Sequence, residues 1–155
     1  MYENIHRQLL DFLAESPTAF HAVQNVRNQL TDHHFHELSE GESWQLQPGN
    51  KYFTVRNESS LIAFTIPDEQ PEEFLITASH SDSPTFKVKA NPEIADQLYV
   101  KLNVERYGGM LYAPWFDRPL SVAGRLIVKE GDRLVTHLVN VDRDLLMIPN
   151  LAIHM

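Results

Sequence analysis

The apolar residues of this chain change period part-way along, and no single-layer helical or all-β architecture accommodates the change. Up to residue 31 they recur every three or four positions, the spacing of a helix face. Ile5, Leu9, Phe12 and Leu13 form one stripe in a helix over 3–15, and Ala19, Val23, Val26 and Leu30 form another over about 18–31. Ser16-Pro17 separates the two, because a proline ring disfavours helix in the residue before it, and Thr18 is placed to cap the second. The periodicity then lapses at Asp32-His33-His34-Phe35-His36. After it come strand signals: Tyr52–Val55 behind a Pro48-Gly49-Asn50 turn, then two unbroken apolar runs, Leu61–Ile66 and Phe74–Ala78. Runs without alternation predict strands covered on both faces, as in an α/β sheet, with the helices supplying part of the cover. Beyond Pro84 the pattern becomes strictly alternating. Leu98, Val100, Leu102 and Val104 interleave with Tyr99, Lys101, Asn103 and Glu105, which marks a half-buried strand. Two more strands, Leu120–Lys129 and Arg133–Val141, are joined by Glu130-Gly131-Asp132 as a tight hairpin.

The expected fold class is therefore α/β: a partial mixed sheet with flanking helices, followed by part of an antiparallel β-rich region. The change of pattern places a boundary near 85–92, with Ala90-Asn91-Pro92-Glu93 as linker, dividing the chain into 1–88 and 89–155. At 155 residues, 43% hydrophobic and 22% charged, the composition is that of an ordinary globular chain. No apolar run approaches the roughly 20 residues that span a bilayer, and the N-terminus lacks the basic region and cleavage site of a secretory signal. Thirteen Lys and Arg against twenty-one Asp and Glu leave a net charge of −8 with no basic run, which argues against nucleic acid or an anionic membrane as partner. With no cysteine, any transition metal must be held by His, Asp or Glu. The same absence agrees with a cytoplasmic location.

Chemistry concentrates in Ala78-Ser79-His80-Ser81-Asp82-Ser83-Pro84. His80 and Asp82 fall at the carboxyl end of the expected strand 74–78, where α/β sheets bind ligands. Two apart on an extended chain, they face the same way, so Asp82 can orient His80 and leave its other nitrogen for a metal. A serine nucleophile among Ser79, Ser81 and Ser83 is disfavoured, since triad members rarely adjoin in sequence and no G-x-S-x-G elbow is present.

Further segments accompany this motif in order: Ser16–Val23, Pro48–Phe53, Arg56–Phe64, Tyr107-Gly108-Gly109-Met110, Trp115–Leu120 and Ile148–His154. Together they resemble the N-terminal part of the aspartyl aminopeptidase family, cytosolic exopeptidases with two zinc ions. The resemblance implies release of N-terminal Asp or Glu from peptides, in a metallopeptidase α/β domain interrupted by a β-rich oligomerisation domain. It implies that His80 is a zinc ligand, Asp82 the carboxylate orienting it, and His154 a residue that reaches a neighbouring subunit's site in a homo-oligomer to hold substrate. It also implies that the other zinc ligands and the general base lie beyond Met155, so that the 155 residues alone are inactive. A different class of reading is a shortened, non-catalytic assembly module that co-oligomerises with a full-length homologue. A complete small hydrolase of another kind is the third.

The remaining candidates read as structural. His33, His34 and His36 form a solvated helix end, and His21 a packing or capping residue. Gly108-Gly109 is a bulge or turn, lacking the rest of a phosphate loop. Trp115, Phe116 and Arg118 belong either to a local core or to an interface.

Overall fold

The computed structural model describes residues 2–69 and 71–154. It is mixed α/β, with two helices and small sheets, and divides into two compact units: residues 1–82 with 123–141, and residues 83–122 with 142–155. The division falls at 82/83, and the stretch 123–141 joins the first unit rather than following the boundary expected from the pattern change.

In the first unit, α1 (Tyr2–Ala14) and α2 (Ala19–Asp32) flank the break at Ser16-Pro17. The Asn25 amide holds that break, donating to the Glu15 carbonyl and the Ser16 hydroxyl, each at 3.0 Å. Thr18 caps α2 as the sequence predicts: its extended backbone turns the side chain back to accept from the His21 N–H. The predicted face of α2 is the covered one, with Val23 buried and Ala19, Val26 and Leu30 half-buried. α1 differs. Of its stripe only Phe12 is half-buried, and Ile5, Leu9 and Leu13 are exposed.

The sheet of this unit has the order β1-β2-β3, from His36–Glu37, Lys51–Arg56 and Ser60–Thr65. β1 runs parallel to β2, and β2 pairs antiparallel with β3 from Lys51↔Thr65 to Arg56↔Ser60. The small core centres on β2, where Tyr52, Phe53 and Thr54 are buried together with Val23 of α2. Tyr52 packs its ring against His36 and Phe64. β3 corrects one expectation: it is an edge strand, and Ile62 is exposed, so it is not covered on both faces. The run Phe74–Ala78 corrects another. It forms no strand, and Phe74, Leu75 and Ile76 are 84%, 99% and 84% exposed. A strand exists only through its ladder, and among the described residues nothing pairs with this segment, so its apolarity alone creates no sheet.

A hairpin completes the unit. β6 (Ala123–Glu130) and β7 (Arg133–Asn140) pair along their whole length, closing on Gly131-Asp132. Gly131 has φ 61°, the left-handed value that a two-residue hairpin turn asks of its first central residue. The strand starts at Ala123 rather than Leu120, which instead bridges Leu146 within the second unit.

The second unit is built on β4 (Thr85–Ala95) against β5 (Val100–Tyr107). Ala90-Asn91-Pro92-Glu93 is therefore not a linker but lies inside a strand. The register jumps from Val88↔Val104 to Glu93↔Leu102, so the extra residues loop out as a bulge. Pro92, which lacks an N–H for the ladder, is accommodated there. Phe86 packs edge-on against Trp115, with centroids 5.4 Å apart, and beside Tyr112, so that Trp115 belongs to a local aromatic cluster.

Candidate functional site

Residues 79–82 belong to no strand and bend at Ser81, and across that bend the side chains of His80 and Asp82 meet. His80 Nδ1 lies 2.9 Å from Asp82 Oδ1. A carboxylate accepts, so Nδ1 is the donor, and in the neutral tautomer Nε2 keeps its lone pair for a ligand. The imidazole is 91% exposed and so accessible to a ligand, while Asp82 is partly covered. An oriented neutral imidazole backed by a carboxylate suits zinc as one ligand. Among the described residues, no three His, Asp or Glu side chains converge to complete such a site. The pair fits as one contribution to a metal centre, not as a centre by itself.

Ser81, between the two, has a different partner. Its hydroxyl donates to the Ser59 carbonyl at 2.7 Å, fastening the motif to the turn between β2 and β3. Sequence reasoning gave Ser81 no such task, since only the fold brings residue 59 beside residue 81.

His154 lies in the second unit, exposed, and is not gathered with His80 and Asp82 in one unit. Its segment is held upstream. Asp117 adopts φ 54°, its N–H donates to the Ile148 carbonyl at 3.0 Å, and its carboxylate accepts from the Asn150 N–H at 2.9 Å. Asp is among the few residues that tolerate this left-handed conformation. That role of Asp117 was also missed, although it sits in the quoted Trp115–Leu120 segment. A shallow depression in the same unit, lined by Asp117, Arg118, Pro119, Leu146 and Met147, contains none of the expected site residues.

The other histidines behave as structural groups. His21 Nδ1 meets the Thr18 hydroxyl at 2.7 Å, and partial burial lowers its pKa below the ordinary histidine value. His137 pairs with Glu130 across the β6–β7 hairpin at 3.0 Å. His33 caps α2 through its backbone, His34 adopts φ 65°, and His36 packs on Tyr52.

Residues 12–155 match the family described as aminopeptidase I zinc metalloprotease (M18). The chain belongs to the M18 aminopeptidase family. It is 47% identical to the probable M18 family aminopeptidase 2 of Clostridium acetobutylicum over 154 residues, covering 96% of this chain and 36% of the relative. It is also 47% identical to aspartyl aminopeptidase 1 of Schizosaccharomyces pombe, covering 94% of the chain and 32% of that protein. The M18 chain thus spans about a third of the length of these relatives. Among solved structures it superposes with a TM-score of 0.90 on a chain in the cryo-EM structure of the Ape4 and Nbr1 complex, at 45% identity, covering 95% of this chain and 29% of that one. On the Saccharomyces cerevisiae mApe1 dodecamer the TM-score is 0.84 at 31% identity, with coverages of 97% and 36%. These M18 likenesses establish the α/β class and the aminopeptidase family together.

Proposed function

We propose that this chain is the N-terminal portion of a zinc-dependent aminopeptidase that releases N-terminal Asp or Glu from peptides in the cytoplasm. The observation that carries the reading is the His80–Asp82 pair in a chain of the M18 family, with Nδ1 bound to carboxylate and Nε2 open. The aspartyl preference is taken from the S. pombe relative, and the homo-oligomer from the dodecameric yeast neighbour. Residues 1–82 contribute to the catalytic domain, and 83–122 with 142–155 to a β-rich assembly domain.

His80 is the ligand that this chain supplies to a two-zinc centre. Asp82 fixes its tautomer and ring plane, which raises the basicity of Nε2. Zinc, when bound, supplies a water of lowered pKa and a polarised scissile carbonyl. His154, exposed at the end of the segment that Asp117 anchors, meets substrate at the active site of a neighbouring subunit. With a single ligand, the 155 residues by themselves do not hydrolyse peptides. Among the described residues no helix is long and apolar enough to cross a membrane.

The test is a substrate panel for the complete protein. Hydrolysis of peptides with N-terminal Glu or Asp, abolished by a chelator and restored by zinc, is expected. Equal rates on N-terminal Leu or Ala would remove the acidic preference, and indifference to the chelator would remove the zinc. The lone ligand also favours a second reading, a non-catalytic module that assembles with a full-length homologue. Tight stoichiometric zinc binding by the 155 residues, measured by titration calorimetry, contradicts it. A stable mixed complex supports it.

A further inference from the structure

We infer that Arg125 is a positioning residue for His80, acting through the β2–β3 turn and the Ser81 hydroxyl. The inference rests on the reading of His80 as a metal ligand. Its starting point is that residues 74–78 form no strand, so no strand ladder leads up to the His80-Ser81-Asp82 tripeptide. Ser81 fastens the middle of it. Ser81 is the bend between the two residues, so fixing its hydroxyl on the Ser59 carbonyl restricts the directions in which His80 and Asp82 can project.

The anchor is only as firm as the Ser59 carbonyl, and Ser59 lies in the turn of the β2–β3 hairpin. Asn57 and Glu58 have φ 51° and 57°, and the Ser59 N–H donates to the Arg56 carbonyl at 3.2 Å. Two consecutive left-handed residues suit a tight hairpin turn, but a glutamate with a full side chain is disfavoured at the second and gains from outside support. Arg125 on β6 provides it. Its Nη1 donates to the Asn57 carbonyl at 2.9 Å and to Asn57 Oδ1 at 3.3 Å, and lies 3.5 Å from Glu58 Oε2. The guanidinium also rests on the Phe20 ring of α2, 4.2 Å from its centroid, and the Arg125 side chain is only 19% exposed. One planar cation thus ties α2 and β6 to the turn that holds Ser81. Lysine has neither the fork nor the flat face for this. Arg125 contacts Asn57, Glu58 and Phe20 rather than His80. It determines where the ligand stands.

The experiment compares zinc affinity, by competition with a chromogenic chelator, with kcat and KM in the complete protein. The variants are Arg125→Ala, Arg125→Lys, Ser81→Ala, the Ser81→Ala/Arg125→Ala double, His80→Ala, and Val23→Ala as a core control in the same unit. Arg125→Ala and Ser81→Ala should each weaken zinc several-fold, less than the roughly 10- to 100-fold loss typical of a ligand's direct partner. Both should lower kcat more than they raise KM. The double should be no weaker than the weaker single, since both cut one chain of contacts. Arg125→Lys should recover little, and Val23→Ala should lower Tm while leaving zinc affinity unchanged. Unaltered zinc affinity in Arg125→Ala, additive losses in the double, or an equal loss in Val23→Ala overturns the inference. Should Arg125→Ala fail to fold, Ser81→Ala with the same readouts decides. If His80→Ala keeps full zinc affinity, the metal reading falls and the role of Arg125 falls with it. Loss in His80→Ala beside an unchanged Arg125→Ala overturns the role of Arg125 alone.

Discussion

The run Phe74–Ala78 is more apolar than β2, yet β2 carries the core and the run stands in solvent. Phe53 is completely buried in the middle strand of its sheet, whereas Leu75 is almost fully exposed. β2 has β1 on one side and β3 on the other, so its backbone groups are paired and its side chains are covered. Residues 74–78 have no such neighbours among those described. Partners, not hydrophobicity, make a strand. The contrast matters because the site follows the unpartnered run, and its local order comes from the Ser81–Ser59 bond and the His80–Asp82 pair.

The sharpest way to break the comparison is truncation at each centre. Phe53→Ala should destabilise the chain by about 3–5 kcal/mol in urea unfolding, the usual cost of an emptied aromatic core site. Leu75→Ala in the same 155 residues should change stability by less than about 0.5 kcal/mol. If the complete protein covers the run, Leu75→Ala there should cost about 2–5 kcal/mol instead. Equal effects of the two substitutions in the 155-residue chain would show that residues 74–78 are already packed.

A smaller effect is expected at the cap of α2. Thr18→Ala should lose about 1 kcal/mol, because the first-turn N–H of His21 then lacks its acceptor. Chemical denaturation monitored by helical circular dichroism reads this directly. The smallest effect is a pH dependence at the same place. Burial lowers the pKa of His21 in the folded state, so the unfolded chain binds more protons around and below pH 6.5. Stability from this group is fully present above that pH and declines as pH falls through it. His21→Gln should flatten this part of the stability profile, and an unchanged profile would show that another group is responsible.

Much of the helical half was legible in the sequence because its signals are local. Proline, cap and apolar stripe fixed α2 to within a residue at each end, and the β6–β7 hairpin announced itself through Gly131. Misreadings came where the outcome depends on distant chain. The bareness of α1 and of residues 74–78 turns on what lies beside them, and the bulge at Pro92 turns on the register of β5. In the site, His80 and Asp82 were legible as a pair because their spacing alone brings them together. Ser59 and Arg125, 22 and 44 residues from Ser81, were not, since only tertiary structure joins them.

The central claim is that the His80–Asp82 pair is this chain's share of a zinc centre. The direct measurement is the zinc content and peptidase rate of the complete protein with and without His80→Ala. The account predicts less bound zinc per subunit in the variant. It also predicts that hydrolysis of N-terminal Glu or Asp peptides falls by at least the roughly 100-fold that even outer partners of a metal can cost. Full zinc content with undiminished, chelator-insensitive hydrolysis in His80→Ala would contradict it.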